Sequence, residues 1–290
     1  MSLERTGWLL GPAVDEVREL ARRATATDGV APLSEQFLLD LDGERSSHLM
    51  AREGGRLVGY GQVAADGAVE LVVDPDARRR GVGRSLVDAV LADEPGARFW
   101  AHGGLAPARA LGADRGLEVV RELHRMARPV RAQDREPVGL PEGLVARSFV
   151  VGQDEQAWLE LNATAFADHP EQGRMTLADL HERQAEAWFD PAGLVLVEDV
   201  SGDRPRLVAS HWTKREPGSD EGEVYAVAVH PQVQGRGLAG PVTALGIGYL
   251  ARTGARSISL YVDGDNDRAL RTYRRAGFEI AATDVMLAHP

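Results

Sequence analysis

No cysteine occurs anywhere in the 290 residues, which excludes disulfides, thiolate metal sites and cysteine nucleophiles together. Nor do eighteen apolar residues run together, the length that a membrane-spanning helix needs. The stretch from Met1 to Gly11 lacks a basic segment followed by an apolar one, so a soluble, cytoplasmic protein is the expectation. Lys/Arg-rich blocks are missing as well. With 33 basic against 44 acidic residues the net charge is -11, which disfavours nucleic acid and anionic membrane and leaves a small molecule as the expected partner of what is taken as a monomer. The eight histidines show no metal-ligand spacing, so no metal is expected. What the chain does have is 43% hydrophobic residues, enough for a substantial core, in a length that suits one large domain or two ordinary ones.

Periodicity and turn residues predict helices over Pro12 to Thr27 and Ser34 to Asp40, then strands near 48–53, 56–63 and 69–73, with Gly54-Gly55 as a hairpin turn. A helix opened by a glycine-rich turn follows, then a strand (98–102), a short helix (107–115) and a strand (117–128). Pro129, Pro137 and Pro141 lie among charged residues and glycines from 128 to 143, which reads as a surface linker. The order then begins again. A strand at 144–151, helices near 154–166 and 177–188, and strands at 194–199, 206–212 and 224–229 precede helix, strand, helix and a last strand ending at Leu287. The expected domains are 1–130 and 143–290, joined by 131–142.

Sliding one half on the other shows a repeat. Pro75 and Pro231, Gly81 and Gly237, and Gly83 and Ala239 are each 156 residues apart, and Gly116-Leu117 and Gly277-Phe278 are 161 apart. Two anchors separated by one small gap point to an internal duplication. At the first anchor an apolar strand (Val227, Ala228, Val229) runs through His230-Pro231 into Gln234-Gly235-Arg236-Gly237-Leu238-Ala239-Gly240 and a long helix. Such a turn leaves backbone N–H groups unpaired at a helix start, where the helix dipole favours an anion; a pyrophosphate would fit, and a Cβ would obstruct it. The first half repeats this with Leu71, Val72 and Val73 running toward Arg78-Arg79-Arg80-Gly81-Val82-Gly83-Arg84. Each turn alone could be a tight strand-to-helix connection; paired in equivalent places, they favour a ligand.

These turns carry the Gln/Arg-x-x-Gly-x-Gly/Ala pattern, and each half ends in strand, helix, Gly-Phe-like turn and strand; on both counts the chain resembles the GNAT superfamily of N-acetyltransferases over almost its whole length. The resemblance implies an α/β fold of two tandem GNAT domains, each a mixed, mainly antiparallel central sheet flanked by helices, with acetyl-CoA as co-substrate. The tandem arrangement, Phe166-Ala-Asp168-His-Pro170, Leu260-Tyr261-Val-Asp-Gly-Asp-Asn266 and Arg271-Thr-Tyr273-Arg-Arg-Ala-Gly277-Phe278 narrow it further: the chain looks like the mycothiol synthase family, which acetylates the cysteinyl amine of a cysteinyl-glucosaminyl-inositol.

Direct acetyl transfer needs a base for the ammonium and an acid for the departing thiolate. Glu223 and Tyr273 are the candidates in the second half. At offset 156 Glu223 matches Gly67, and at offset 161 Tyr273 matches Gly112 and Asn266 matches Leu105, so the first half keeps a phosphate cradle without the proton-transfer pair. Glu223 could instead be a solvated residue of the acidic run 220–223, Tyr273 a packing ring, and Asn266 a helix N-cap that also touches cofactor. By resemblance, Asn266 and Arg271 join the cofactor site, while Glu35, Asp168, Lys214, Glu223 and Tyr261 contact the acceptor. Pro241, Gly246 and Gly248 put the regularity of the long helix in doubt. Two other functions stay open: acetylation of a different amine, and a non-catalytic acyl-CoA-binding module that would need neither Glu223 nor Tyr273.

Overall fold

A computed structural model describes residues 1–43, 45–167 and 172–290. Asp168 lies outside them. The chain forms two compact units, and they are not simple halves: unit 1 holds 1–124, 263–265 and 282–290, and unit 2 holds 125–262 and 266–281. The sequence places its boundary at 130–143; the chain passes between units at residue 124, inside a strand.

Unit 1 contains β1 (Ser2–Thr6), α1 (Gly11–Asp28), α2 (Glu35–Leu39), β2 (Ser46–Glu53), β3 (Arg56–Ala64), β4 (Ala68–Val73), α3 (Val82–Asp93), β5 (Arg98–Ala101) and α4 (Ala106–Asp114). β6 (Glu118–Pro129) starts in it and continues into unit 2. The strands run β1-β2-β3-β4-β5-β12, where β12 (Glu279–Ala288) is the last strand of the chain and pairs antiparallel with β5, Val285 opposite Ala101. β1 has no counterpart in the sequence prediction: its residues are largely exposed, so no apolar alternation marks it. Alternation along the other strands sends Leu49 and Val69 toward α3, where they pack with Leu86 and Val90, and sends Met50 and Val72 toward α1, where they meet Val17 and Leu20.

Unit 2 repeats the plan with β7 (Leu144–Ser148), α5 (Glu155–Ala165), α6 (Leu177–Gln184), β8 (Leu194–Asp199), β9 (Arg206–Lys214), β10 (Glu221–Val229), α7 (Ala239–Arg252), β11 (Ser257–Asp263) and α8 (Asp267–Arg275), in strand order β6-β11-β10-β9-β8-β7. The final strand of each half has been exchanged: Met126 of β6 sits in the core of unit 2, and Leu287 of β12 in that of unit 1. In both units the sheet is antiparallel apart from one parallel pair, β4 with β5 and β10 with β11.

Helix α7 is regular in spite of its glycines. Pro241 is its third residue, within the first turn, where no N–H is needed. Gly246 faces the buried His211 ring, which occupies the space a Cβ would take. The His211 Nδ1 donates to the Val242 carbonyl at 2.9 Å, and burial holds its pKa down to about 4, so the ring is neutral.

Candidate active site

The site begins with a divergence of strands. β10 pairs with β11 from Glu221↔Ser257 to Val224↔Leu260, yet β10 continues to Val229 with its other edge still paired to β9. Beyond Val224 the β11-facing backbone groups of Val227, Ala228 and Val229 are therefore left for a ligand to satisfy. A bulge at Tyr225 accompanies the divergence: Val224 faces Thr213 and Ala226 faces Trp212, leaving Tyr225 over.

At the far end of β10 the chain turns into α7. Gly235 and Gly237 adopt φ of 79° and 78°, a left-handed conformation that glycine alone takes without strain. Gln234 Nε2 donates to the Val229 carbonyl at 3.0 Å and Gln234 Oε1 accepts from Arg268 at 3.0 Å, pinning the turn to the end of β10 and the start of α8. His230 accepts from the Gln232 N–H, which is a turn role. Asn266 caps α8 by accepting from the Ala269 N–H at 3.0 Å.

Between α7 and α8 lies a groove of about 1180 Å³, of a size to hold a nucleotide-bearing thioester. The expected residues Val227, Val229, Gln234, Gly235, Gly237, Leu238, Ala239, Gly240, Asn266, Arg271 and Tyr273 all line it. Ala228 is buried on the opposite face of β10, and exposed Arg236 is outside the lining. Tyr273 is half-buried; desolvation pushes its hydroxyl up to about 12, so it is a proton donor throughout the neutral range. Its ring also packs edge-on against Phe278. Both packing and an acid role are thus open to one side chain.

On the other face of the sheet, Glu223 sits next to the last residue of the paired stretch, directly opposite Lys214 of β9 and Ser259 of β11. Lys214 is the single lysine of the sequence, and its ammonium lies 4.9 Å from the Trp188 ring centre and 5.8 Å from that of Tyr225. Arg183 of α6 donates to the Tyr225 hydroxyl at 2.9 Å. Arg125 of β6 holds Glu221 at 2.5 Å and lies within the field of Tyr261 and Glu223; although burial opposes it, these acids raise its pKa. Tyr261 is exposed on β11. Glu35 opens α2 in unit 1.

Two family profiles match: the Acetyltransferase (GNAT) family over residues 156–278 and an Acetyltransferase (GNAT) domain over 44–112. A mycothiol acetyltransferase of Kytococcus sedentarius is 48% identical over 278 residues, covering 94% of this chain and 93% of that protein. One of Thermomonospora curvata is 48% identical, with 97% and 95% covered. The chain belongs to the mycothiol acetyltransferase family. Among solved structures, a GCN5-related N-acetyltransferase from Sphaerobacter thermophilus superposes with a TM-score of 0.71 at 23% identity, covering 98% and 94% of the two chains. A tandem GNAT protein from the clavulanic acid biosynthesis pathway gives 0.70 at 19%, covering 99% and 98%. Both share the tandem fold. The protein is accordingly an N-acetyltransferase built of two GNAT domains.

Within this family member, unit 1 retains the turn in detail. Arg79 and Gly81 take φ of 62° and 89° at the places of Gly235 and Gly237. Arg78 Nε donates to the Val73 carbonyl at 3.3 Å as Gln234 does to Val229, and Asp74 accepts from the Asp76 N–H as His230 does from Gln232. β4 parts from β5 after Val69↔Phe99, leaving Leu71 to Val73 along the opening. The surroundings differ. Arg78 is held by both oxygens of Asp28 at 2.7 Å, Arg80 pairs with Glu53, and Arg84 pairs with Asp114 at 2.7 Å. Val82 is buried, and Gly83 lets α3 pack closely on Leu111.

One expected correspondence shifts by a residue. Val69 faces Val63 and Phe99 where Val224 faces Thr213 and Leu260, so the counterpart of Glu223 is Ala68, 155 residues earlier, rather than Gly67. The bulge at Tyr225 is the extra residue. Gly112 remains the counterpart of Tyr273; a Cβ there would come within 2.7 Å of Leu287, which fills the space.

The sequence prediction missed the wall opposite α8. Arg128, Arg131, Gln133, Asp134, Glu136, Pro137 and Val138 line the groove, although 131–142 reads as a surface linker. Gly248 was the available signal: a Cβ on it would meet the Asp134 carbonyl at 3.1 Å, so the glycine makes room for the segment.

Proposed function

We propose that the protein transfers the acetyl group of acetyl-CoA to the cysteinyl amine of a cysteinyl-glucosaminyl-inositol, forming mycothiol, with the chemistry confined to unit 2. The observation that carries this is the opened β10 edge, which has the glycine turn at one end, Tyr273 in the groove on one face and Glu223 on the other. Glu223 takes a proton from the acceptor ammonium. The amine nitrogen then attacks the thioester carbonyl, and the tetrahedral intermediate collapses with cleavage of the C–S bond. Tyr273 delivers its proton to the departing sulfur and is reprotonated, through solvent, by the second proton that the nitrogen sheds as the amide forms. The β11-facing backbone of Val227 to Val229 hydrogen-bonds the pantetheine arm, and the N–H groups from Gly237 to Gly240 receive the pyrophosphate.

Lys214 and Tyr261 of unit 2 contact the polyhydroxylated acceptor. Charge-assisted bonds from such groups give most of the orientation. Unit 1 binds acetyl-CoA at its own turn without transferring the acetyl group, because Ala68 and Gly112 supply neither base nor acid.

The deciding experiment is thiol release from acetyl-CoA across a panel of amines that includes the cysteinyl pseudodisaccharide, with mass spectrometry locating the acetyl group on nitrogen. Preference for the pseudodisaccharide by orders of magnitude in kcat/KM is expected. Faster reaction with an aminoglycoside or a peptide amino terminus would reassign the acceptor, and no release with any amine would make the chain a binding module.

A further inference from the structure

We propose that the start of the segment joining the two halves, Arg131 to Asp134, is the end wall of the acyl-CoA groove and limits the length of the acyl group that the enzyme accepts. This rests on the groove being the acyl-CoA site.

The groove has a direction. At one end lie the glycine turn, the Asn266 cap and Arg268 bridged to Gln234, which mark the phosphate end. From Gly237 the lining follows α7 through Gly240, Thr243 and Ala244 to Ile247, and follows α8 from Asn266 through Ala269 to Tyr273 and Ala276. Ten residues of helix rise about 15 Å, which takes an extended pantetheine arm from the turn toward Tyr273. Beyond stand Arg131, against Gly277 just after α8, and Asp134, against Gly248 of α7, from which the segment runs back along α7 to Leu140, packed with Leu238 and Val242.

Its position is built, not incidental. The Asp134 carbonyl sits against Gly248 of α7, and the Arg131 guanidinium occupies the place of a Cβ on Gly277, just after α8. Arg128 binds both Asp134 oxygens, at 2.8 and 2.9 Å, and stacks over Phe278 with its guanidinium carbon 5.2 Å from the ring centre. The Arg131 N–H donates to Asp134 at 2.7 Å, closing the short turn Ala132–Arg135. The close fit of the Asp134 carbonyl on Gly248 and one buried ion pair thus hold the segment in place.

The chemistry of the wall discriminates. Ile247 and Ala276 suit a methyl group, but a chain with further methylenes would press into Arg128, Arg131 and Asp134 and strip water from their charges. Discrimination of this kind is worth roughly 10- to 200-fold per methylene.

The test is kcat/KM with acetyl-, propionyl- and butyryl-CoA, with calorimetric Kd for the same three, in the full-length protein and in Arg131→Met and Arg131→Lys. Wild type should lose at least about tenfold per added methylene. Arg131→Met, which shortens the side chain and removes its charge, should raise the butyryl-to-acetyl ratio about tenfold, and Arg131→Lys should leave it within a few-fold. An unchanged ratio in Arg131→Met overturns the wall while the groove stands, as does a wild type indifferent to chain length. Failure of all three thioesters to bind overturns the groove, and the wall with it. Should Arg131→Met melt early, Gln133→Ala removes another side chain of the same wall and supplies the same ratio.

Discussion

Units 1 and 2 share a backbone and differ in side chains, and the difference falls almost wholly at the reacting end. Both turns place two residues at positive φ and return the first side chain to the strand carbonyl. Both parallel strand pairs part at the same register. Yet where unit 2 has Glu223 and Tyr273, unit 1 has Ala68 and a glycine filled by Leu287. Just past the parting, unit 1 sets His102 between Glu70 at 3.0 Å and Asp284 at 3.2 Å. Ser34 donates its N–H to Glu70 at 2.6 Å and Gly103 donates to Asp284 at 2.6 Å. The equivalent face of unit 2 holds an aromatic cluster of Trp158, Trp188, Trp212 and Tyr225. A turn made of backbone is preserved by any side chain that allows it, whereas proton transfer needs particular groups; on the proposed function, unit 1 therefore binds without transferring.

The sharpest way to break this comparison is to damage both turns equally. Valine at Gly237 would have to adopt a left-handed conformation costing about 1–2 kcal/mol and would set a Cβ against the phosphates. Gly237→Val should therefore abolish turnover and one equivalent of acetyl-CoA binding, whereas Gly81→Val should remove the other equivalent and leave turnover within a few-fold. Calorimetry beside the thiol assay reads both. Loss of activity in a folded Gly81→Val protein would couple unit 1 to catalysis. Next in size is Glu223→Gln, expected to lower kcat by about a hundred- to ten-thousand-fold with acetyl-CoA affinity unchanged. Activity near wild type at every pH removes Glu223 from the mechanism.

The buried imidazolium of unit 1 gives a stability test. Burial opposes the charge on His102, but Asp284 and Glu70 outweigh it and raise the pKa to about 10. A raised folded-state pKa stabilises fully below the unfolded value near 6.5, and that contribution is lost as pH climbs through 10. His102→Gln should therefore be markedly less stable than wild type at pH 6, and the gap should narrow by on the order of 3–4 kcal/mol by pH 9.5. Urea unfolding at the two pH values measures it. A gap independent of pH would mean that folding does not shift the pKa of His102.

Much of this was legible in the sequence because it is local. Gly235 and Gly237 announce a turn, Pro231 punctuates it, and period-two alternation marks β2 to β4 and β8 to β10. What escaped is non-local. The bulge at Tyr225 moves the match of Glu223 from Gly67 to Ala68, and no residue type signals it. The exchange of β6 and β12 leaves no trace, since Met126 and Leu287 are apolar in either partner. Proline and charge made 131–142 look like a spacer, although Gly248 makes room for the Asp134 carbonyl of that segment. The lone Lys214 was the cue to the aromatic shelf of Trp188 and Tyr225.

The smallest effect is expected at Tyr273. Its hydroxyl, with a pKa pushed to about 12 by burial, cannot be the source of an alkaline fall in rate near pH 9. Phenylalanine keeps the edge-on contact with Phe278, whose ring centre is 6.0 Å away, so Tyr273→Phe should fold and melt like wild type. Water in the groove can partly replace the lost donor, and kcat should drop only about tenfold, below the usual range for a positioned acid. The diagnostic is the leaving group: an acetyl thioester of a more acidic thiol needs less protonation as the C–S bond breaks, so the deficit should shrink with it. A deficit that ignores thiol acidity would return Tyr273 to packing, and leave unit 2 distinguished from unit 1 by its base alone.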